Sequence, residues 1–223
     1  EVAVILQDGL RRMMQDQEDV FYYITLLNEN YPHPGIREGA REGILKGMYK
    51  LIDAGASKGP RAQLLGSGSI LREAIAARDL LQEDWGVAAD VWSRTSFTEL
   101  RREGIASARW NLLRPAEQRR ASYVEQCLGA AKGPVIAATD YVRAFAEQIR
   151  EFVPRRYKVL GTDGFGRSDS RASLRRFFEV DRHYIAVAAL AALAEEGDAP
   201  AAKVAEAIRK YGIDPEHPAP WTV

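Results

Sequence analysis

The chain holds one cysteine, three histidines and no net charge, and each shortage removes a class of function. Cys127 alone cannot build a disulfide framework and suits a reducing, cytoplasmic setting. None of His33, His183 and His217 lies within four residues of another histidine or of Cys127, so no local metal-ligand spacing exists. Lys plus Arg and Asp plus Glu number 31 each, which leaves no global field for nucleic acid or an anionic membrane. The longest apolar stretch, residues 185–193, is alanine-rich and far too short to cross a bilayer. The start lacks a basic region ahead of its apolar residues, so no signal peptide is read there. Gly-x-Ser-x-Gly, the turn that presents a nucleophilic serine, is absent. What remains has the balance of a globular protein, 46% hydrophobic and 28% charged over 223 residues, enough to bury a core without staples.

Val2, Ile5, Leu6, Leu10 and Met13 follow a helical stripe from the first residues, with Glu rather than Met at position 1. The chain therefore reads as a piece of something longer. That helix is expected to end near residues 15–19. Residues 20–27, rich in aromatic and β-branched side chains, read as a buried strand. Two prolines and a glycine then break all regular structure over residues 28–35. Residues 48–52 and 62–65 read as two strands of a hairpin turning through 55–59, which makes the first strand antiparallel to the rest. Strand–helix alternation follows, with helix 70–82, strand 87–93, helix 98–102, strand 135–138, helix 141–152 and strand 157–160. Residues 123–128 fit either a strand or a short helix. The tail is helical over 182–196 and 199–211, with Asp198 expected to cap the second helix. This alternation predicts an α/β fold whose mostly parallel sheet is covered on both faces.

Gly161-Thr-Asp-Gly-Phe-Gly-Arg-Ser-Asp-Ser-Arg171 is the most informative segment. It joins the last strand to a helix over 172–179, at the edge where open α/β sheets meet ligands and partner chains. Its glycines permit sharp turns, and its Asp and Arg side chains offer charge-assisted hydrogen bonds. Two readings stand. Asp163 or Arg167 faces a substrate channel, or the loop is structural and fixes a domain or dimer interface through Asp–Arg pairs, with Ser168, Asp169 or Ser170 capping the next helix. Asp163, Arg167 and Asp169 are its substrate-channel or interface candidates. Gly66-Ser-Gly-Ser69 begins like a phosphate cradle but lacks the third glycine and the lysine, so an ordinary tight turn explains it. Cys127 reads as a small buried hydrophobe. Paired arginines at 101–102, 119–120 and 175–176 are matched by acids and read as solvated faces or interface ion pairs.

The segment 160–171 together with Leu64-Leu-Gly-Ser-Gly-Ser-Ile-Leu71, Thr95-Ser-Phe-Thr-Glu-Leu100, Tyr22-Tyr-Ile-Thr25 and Leu27-Asn-Glu-Asn-Tyr31 resembles the first component of the bacterial homodimeric pyruvate dehydrogenases. The likeness runs along nearly the whole chain and points to the carboxyl-terminal part of that transketolase-like enzyme. It implies a three-layer α/β/α carboxyl-terminal domain with a five-stranded sheet, one strand antiparallel, over residues 63–223. Residues 1–31 would then end a preceding pyrimidine-binding-type domain, and residues 32–62 would be a linker carrying the first hairpin strand. The family decarboxylates a 2-oxo acid with thiamine diphosphate and magnesium, acts as a homodimer and acetylates a dihydrolipoyl acetyltransferase core. Its cofactor motif and catalytic residues would precede Glu1, so no catalytic, cofactor or metal residue is assigned within the chain. His33, in Tyr31-Pro-His-Pro34, stands beside a variable stretch and joins the loop residues as a substrate-channel or interface candidate. Two other readings fit the same residues: a first component acting on another 2-oxo acid such as 2-oxobutyrate, or a non-catalytic dimerisation module.

Overall fold

In a computed structural model, which describes residues 1–27 and 30–223, five strands form one sheet. They are β1 (Met48–Ile52), β2 (Arg61–Ser67), β3 (Ala88–Arg94), β4 (Val135–Ala138) and β5 (Tyr157–Leu160), in the spatial order β1-β3-β2-β4-β5. β2 pairs in parallel with β3 (Leu64 beside Val91) and with β4 (Leu64 beside Ile136), and β4 with β5 (Ile136 beside Lys158). β1 alone runs antiparallel. Its partner is β3, Met48 lying opposite Arg94 and Tyr49 opposite Ser93, with an irregularity between Lys50 and Ile52. The expected β1–β2 hairpin is therefore corrected: β3 lies between the two strands. Asp90 of β3 accepts the Ala54 N–H at 2.8 Å and holds the connection across that strand. The predicted α/β class, mostly parallel with one antiparallel strand, is the observed one.

Strand sequences explain why both faces must be covered. Alternate residues of β2, β3 and β4 send Leu64, Val91 and Ile136 to one core and Leu65, Trp92 and Ala137 to the other. On the first face lie α3 (Leu71–Trp85), α8 (Arg182–Glu196) and α9 (Ala201–Lys210). Ala74 and Ala77 of α3 share this core with Ala186, Ala189 and Leu190 of α8, and their small side chains let the two helices approach closely. On the other face α4 (Phe97–Leu113), α5 (Tyr123–Leu128) and α6 (Arg143–Glu147) contribute Phe97, Leu100, Val124, Leu128 and Ala146. Residues 123–128 are thus a helix. A capping box fixes them, with Ser122 Oγ taking the Glu125 N–H at 3.2 Å and the Glu125 carboxylate taking the Ser122 N–H at 2.7 Å. Cys127 is half-buried behind Tyr123, and burial pushes its thiol pKa up.

Four further expectations change. Residues 20–27 form no strand; Phe21 and Tyr23 are 88% and 87% exposed, and nothing in the described chain pairs with their backbone. A helix, α2 (Ala40–Lys46), precedes β1 within the stretch read as a link. The helix expected over 141–152 starts later, as α6 at Arg143, the Tyr141 carbonyl being taken by the Thr162 N–H at 2.9 Å, and beyond Glu147 it gives way to a 3-10 turn at Arg150–Phe152. Asp198 does not cap α9. Its N–H closes α8 on Leu193 O at 2.9 Å, and Pro200 takes the N-cap place. The first helix is α1 (Val2–Leu10), continued by a π-helical turn at Arg11–Gln15, as its stripe predicted. Asn28 and Glu29, within the predicted break, lie outside the described residues.

Candidate functional site

The chain leaves β2 toward β3 on one side and later returns to β4 on the other, so the sheet has its topological switch point between β2 and β4. Ligands of open α/β sheets are met there, beyond the carboxyl ends of the strands. Three connections converge on this place: Gly68–Ile70 after β2, Thr139-Asp140-Tyr141 after β4, and the loop 161–170 after β5. Gly66 makes the first of them possible. A Cβ there would stand 2.5 Å from Leu71 Cα, so only glycine lets the start of α3 fold back on the strand end. The Gly66–Ser69 motif is thereby a tight strand-to-helix turn, as its incomplete cradle pattern implied.

A crevice of about 360 Å³ opens at this edge, with Ser69, Asp140, Thr162, Arg167, Arg171 and Arg175 among its lining. Ser69 Oγ donates to Asp140 Oδ2 at 3.3 Å, and Thr162 Oγ1 donates to Asp140 O at 2.8 Å, so the three connections are tied together. Of the predicted site residues, Arg167 lines the crevice and lies 5.2 Å from the Phe177 ring centroid. Asp163 turns instead to α6. Its Oδ1 accepts the Arg143 N–H at 2.9 Å, with Arg143 Nε at 4.0 Å from Oδ2. Asp169 accepts the next residue's N–H, that of Ser170, at 2.6 Å. Ser170, rather than Ser168 or Asp169, caps α7 (Arg171–Phe177) by accepting the Ser173 N–H at 3.2 Å. His33 is exposed in irregular chain and is not among the crevice's described lining. The structure thus gathers Asp163, Arg167 and Asp169 on one loop, divides their tasks, and leaves His33 apart.

Glu73 was not signalled by any motif, yet it organises this edge. It sits in the first turn of α3, only 5% exposed, and accepts from Arg182 N (3.1 Å), Arg182 Nε (2.9 Å), Arg182 Nη2 (3.2 Å) and Arg175 Nη1 (3.2 Å). Arg175 also donates to the Tyr31 hydroxyl at 3.0 Å, and Arg72 lies 4.4 Å from the Tyr31 ring centroid. One carboxylate therefore joins α3, α7, the start of α8 and the Tyr31 segment. Burial alone would raise the Glu73 pKa, but Arg182 and Arg175 more than reverse it and hold the carboxyl below its ordinary value. The signal available in sequence was indirect: an acid in the first turn of an apolar helix, with paired arginines far along the chain. Glu179, just beyond α7, shows the opposite shift, its carboxyl raised by burial and only partly relieved by His217 and Arg143.

The loop is locked from its other side by the end of the chain. Gly164 has φ +106°, and a Cβ on it would come within 2.5 Å of Pro220 O. Gly164→Ala is expected to cost at least about 2 kcal/mol, combining left-handed strain with loss of this close approach. Urea unfolding measures it, and an unchanged midpoint would show that the loop does not depend on that contact.

The loop offers charge, turns and a crevice. Among the described residues no group of three His, Cys, Asp or Glu side chains is placed to hold a metal ion. No helix of the described residues is long and apolar enough to cross a membrane.

Comparison with known proteins gives this edge its context. The family model for the transketolase-like TK C-terminal domain matches residues 47–181, which carry all five strands and the loop. The model for the pyruvate dehydrogenase E1 component middle domain matches residues 1–34. The pyruvate dehydrogenase E1 component of Cupriavidus necator is 61% identical over 100% of the chain, which covers 25% of that protein. Those of Pseudomonas aeruginosa and Escherichia coli K12 are 59% and 56% identical over 97% and 96% of the chain, covering 25% and 24% of their own lengths. The chain spans about a quarter of the curated relatives it matches. The chain therefore belongs to the transketolase-like TK C-terminal domain family, and its high-identity relatives are pyruvate dehydrogenase E1 components.

Proposed function

We propose that this chain is the scaffold and interface portion of an enzyme that decarboxylates pyruvate and passes the acetyl group to lipoyl groups of a dihydrolipoyl acetyltransferase core. The observation that carries the reading is 61% identity to an E1 component along the entire chain, with two successive E1-type family regions in order. The domain plan follows the same reading: residues 1–31 end a middle domain, 63–223 form the carboxyl-terminal domain, and the link 32–62 carries β1, the strand that completes that domain's sheet. In the whole enzyme the working unit is a cytoplasmic homodimer that uses thiamine diphosphate and magnesium. Among the described residues no acidic or histidine cluster converges, so none is assigned to the magnesium ion. On the family resemblance, the cofactor site is proposed to lie in residues of the complete polypeptide outside this chain.

Its residues have positional tasks. Glu73, with Arg175 and Arg182, fixes the helices behind the loop, and Asp163 pins the loop to α6. Arg167 and the crevice then face whatever approaches the carboxyl edge, which makes Arg167 the residue nearest to a substrate-entrance role. Calorimetric titration of the chain with thiamine diphosphate and magnesium tests the division of labour. No saturable heat is expected, and clear stoichiometric binding would overturn it. Comparing pyruvate with 2-oxobutyrate on the complete polypeptide tests the substrate, and preference for 2-oxobutyrate would replace this reading by its closest competitor.

A further inference from the structure

Among the described residues, buried charged side chains have partners, with one exception. Asp90 and Glu73 each take several donors, whereas Arg94, the last residue of β3 and 8% exposed, ends in an unanswered guanidinium. Its Nε is the one buried side-chain nitrogen or oxygen among the described residues without a hydrogen-bond partner. The group lies 3.7 Å from the ring centroid of Phe97, the first residue of α4, so an aromatic face covers part of it without satisfying its donors. Burial lowers its pKa to about 9, which still leaves it charged at neutral pH. The other groups acting on it, Tyr157, Asp140, Tyr141 and Glu1, raise it from a distance. Asp140 is taken up by Ser69 Oγ at 3.3 Å, and the Glu1 carboxylate by Ser93 Oγ at 2.5 Å and Tyr49 at 2.8 Å.

An uncompensated buried cation is among the most costly arrangements a fold can keep. Arginine's fork of donors is shaped for carboxylate or phosphate oxygens. Arg94 also stands at the carboxyl end of its strand, beside Ser67 of β2 in register, on the edge where this architecture receives ligands. We propose that Arg94 anchors an oxyanion site on the α4 face of that edge, taking a carboxylate or phosphate oxygen onto its free donors. The oxygen belongs either to a free small anion or to an acidic side chain elsewhere in the complete protein. The inference rests on burial and on missing donor partners, not on the reaction proposed above.

The test uses the complete polypeptide as wild type, Arg94→Met and Arg94→Lys. Thermal unfolding is followed as inorganic phosphate replaces chloride at constant ionic strength. For a free anion, the wild type gains a saturable rise in Tm. Arg94→Lys needs about tenfold more phosphate for half the rise, and Arg94→Met loses it. For an acidic side chain, phosphate changes nothing, Arg94→Met melts below wild type, and Arg94→Lys falls between. Both patterns support the site and tell its source apart. A phosphate response that survives in Arg94→Met overturns it. So does an absent response with Arg94→Met melting at or above wild type, because methionine would then only relieve an unpaired charge. Should Arg94→Met fail to fold, Arg94→Lys against wild type carries the same comparisons.

Discussion

Asp90→Ala is expected to lower the unfolding free energy by about 3–5 kcal/mol, the range for removing one partner of a buried ion pair. Asp90 is 2% exposed in the middle of β3. Its carboxylate accepts from Arg61 Nη1 at 2.9 Å, Ala54 N at 2.8 Å and Gln63 Nε2 at 3.0 Å. Gln63, itself fully buried, also accepts the Trp92 indole N–H at 2.9 Å and donates to Lys132 O at 3.0 Å. Alanine would leave the Arg61 cation without its carboxylate and take an acceptor from the Gln63 amide and the Ala54 N–H together, beneath the connection that carries β1 across β3. Asp90→Asn keeps an acceptor but not the charge and should lose less. Denaturant unfolding of both variants measures the difference, and equal losses would show that the charge, which both variants lack, carries the whole effect rather than the shape or the remaining acceptor.

Glu73→Ala is the second large loss, about 3 kcal/mol, at the low end of the same range because Arg182 is 46% exposed and can turn to water. Its consequence should be local as well as global. Without the carboxylate, Arg175 and Arg182 lose the acceptor that sets α7 and the start of α8 against α3, so hydrogen exchange should rise across residues 161–182 before it rises in β2 or β4. Uniform exchange would contradict a local role. The same carboxyl gives a pH dependence with a definite sign. A group held below its unfolded value of 4.5 contributes stability above that pH and loses it as pH falls through the lower folded value. Below about pH 4.5 the gap between wild type and Glu73→Gln should therefore close. A gap that widened on acidification would mean that the carboxyl is raised, not lowered.

These two networks also mark how far the sequence could be read. Apolar runs bounded by glycine and proline located each strand of the sheet, and an uninterrupted periodic stretch located α8 to the residue. Both are local signals. Strand pairing is not local. The residues of β1 and β2 suit a hairpin, and only the insertion of β3, held by Asp90 on Ala54, decides otherwise. Residues 20–27 have strand propensity, but propensity becomes a strand only where a neighbouring edge supplies hydrogen bonds, and Phe21 and Tyr23 stand exposed instead. The loop 161–171 was conspicuous because glycine and charge cluster along the chain. Glu73 and Arg94 were invisible because their partners, or the lack of them, arise only when distant segments meet. Asp163 illustrates the limit within the loop itself: its type was legible, while its engagement with Arg143 depends on where α6 begins.

In the proposed reading these residues support a pyruvate-decarboxylating enzyme without themselves holding its cofactor. Carbon dioxide release from pyruvate, with thiamine diphosphate and magnesium supplied, tests this most directly in two samples: the complete polypeptide and this chain alone. The complete polypeptide should release carbon dioxide only when pyruvate and both cofactors are present, and this chain should release none. Turnover by this chain alone, or none by a folded complete polypeptide, would contradict the account.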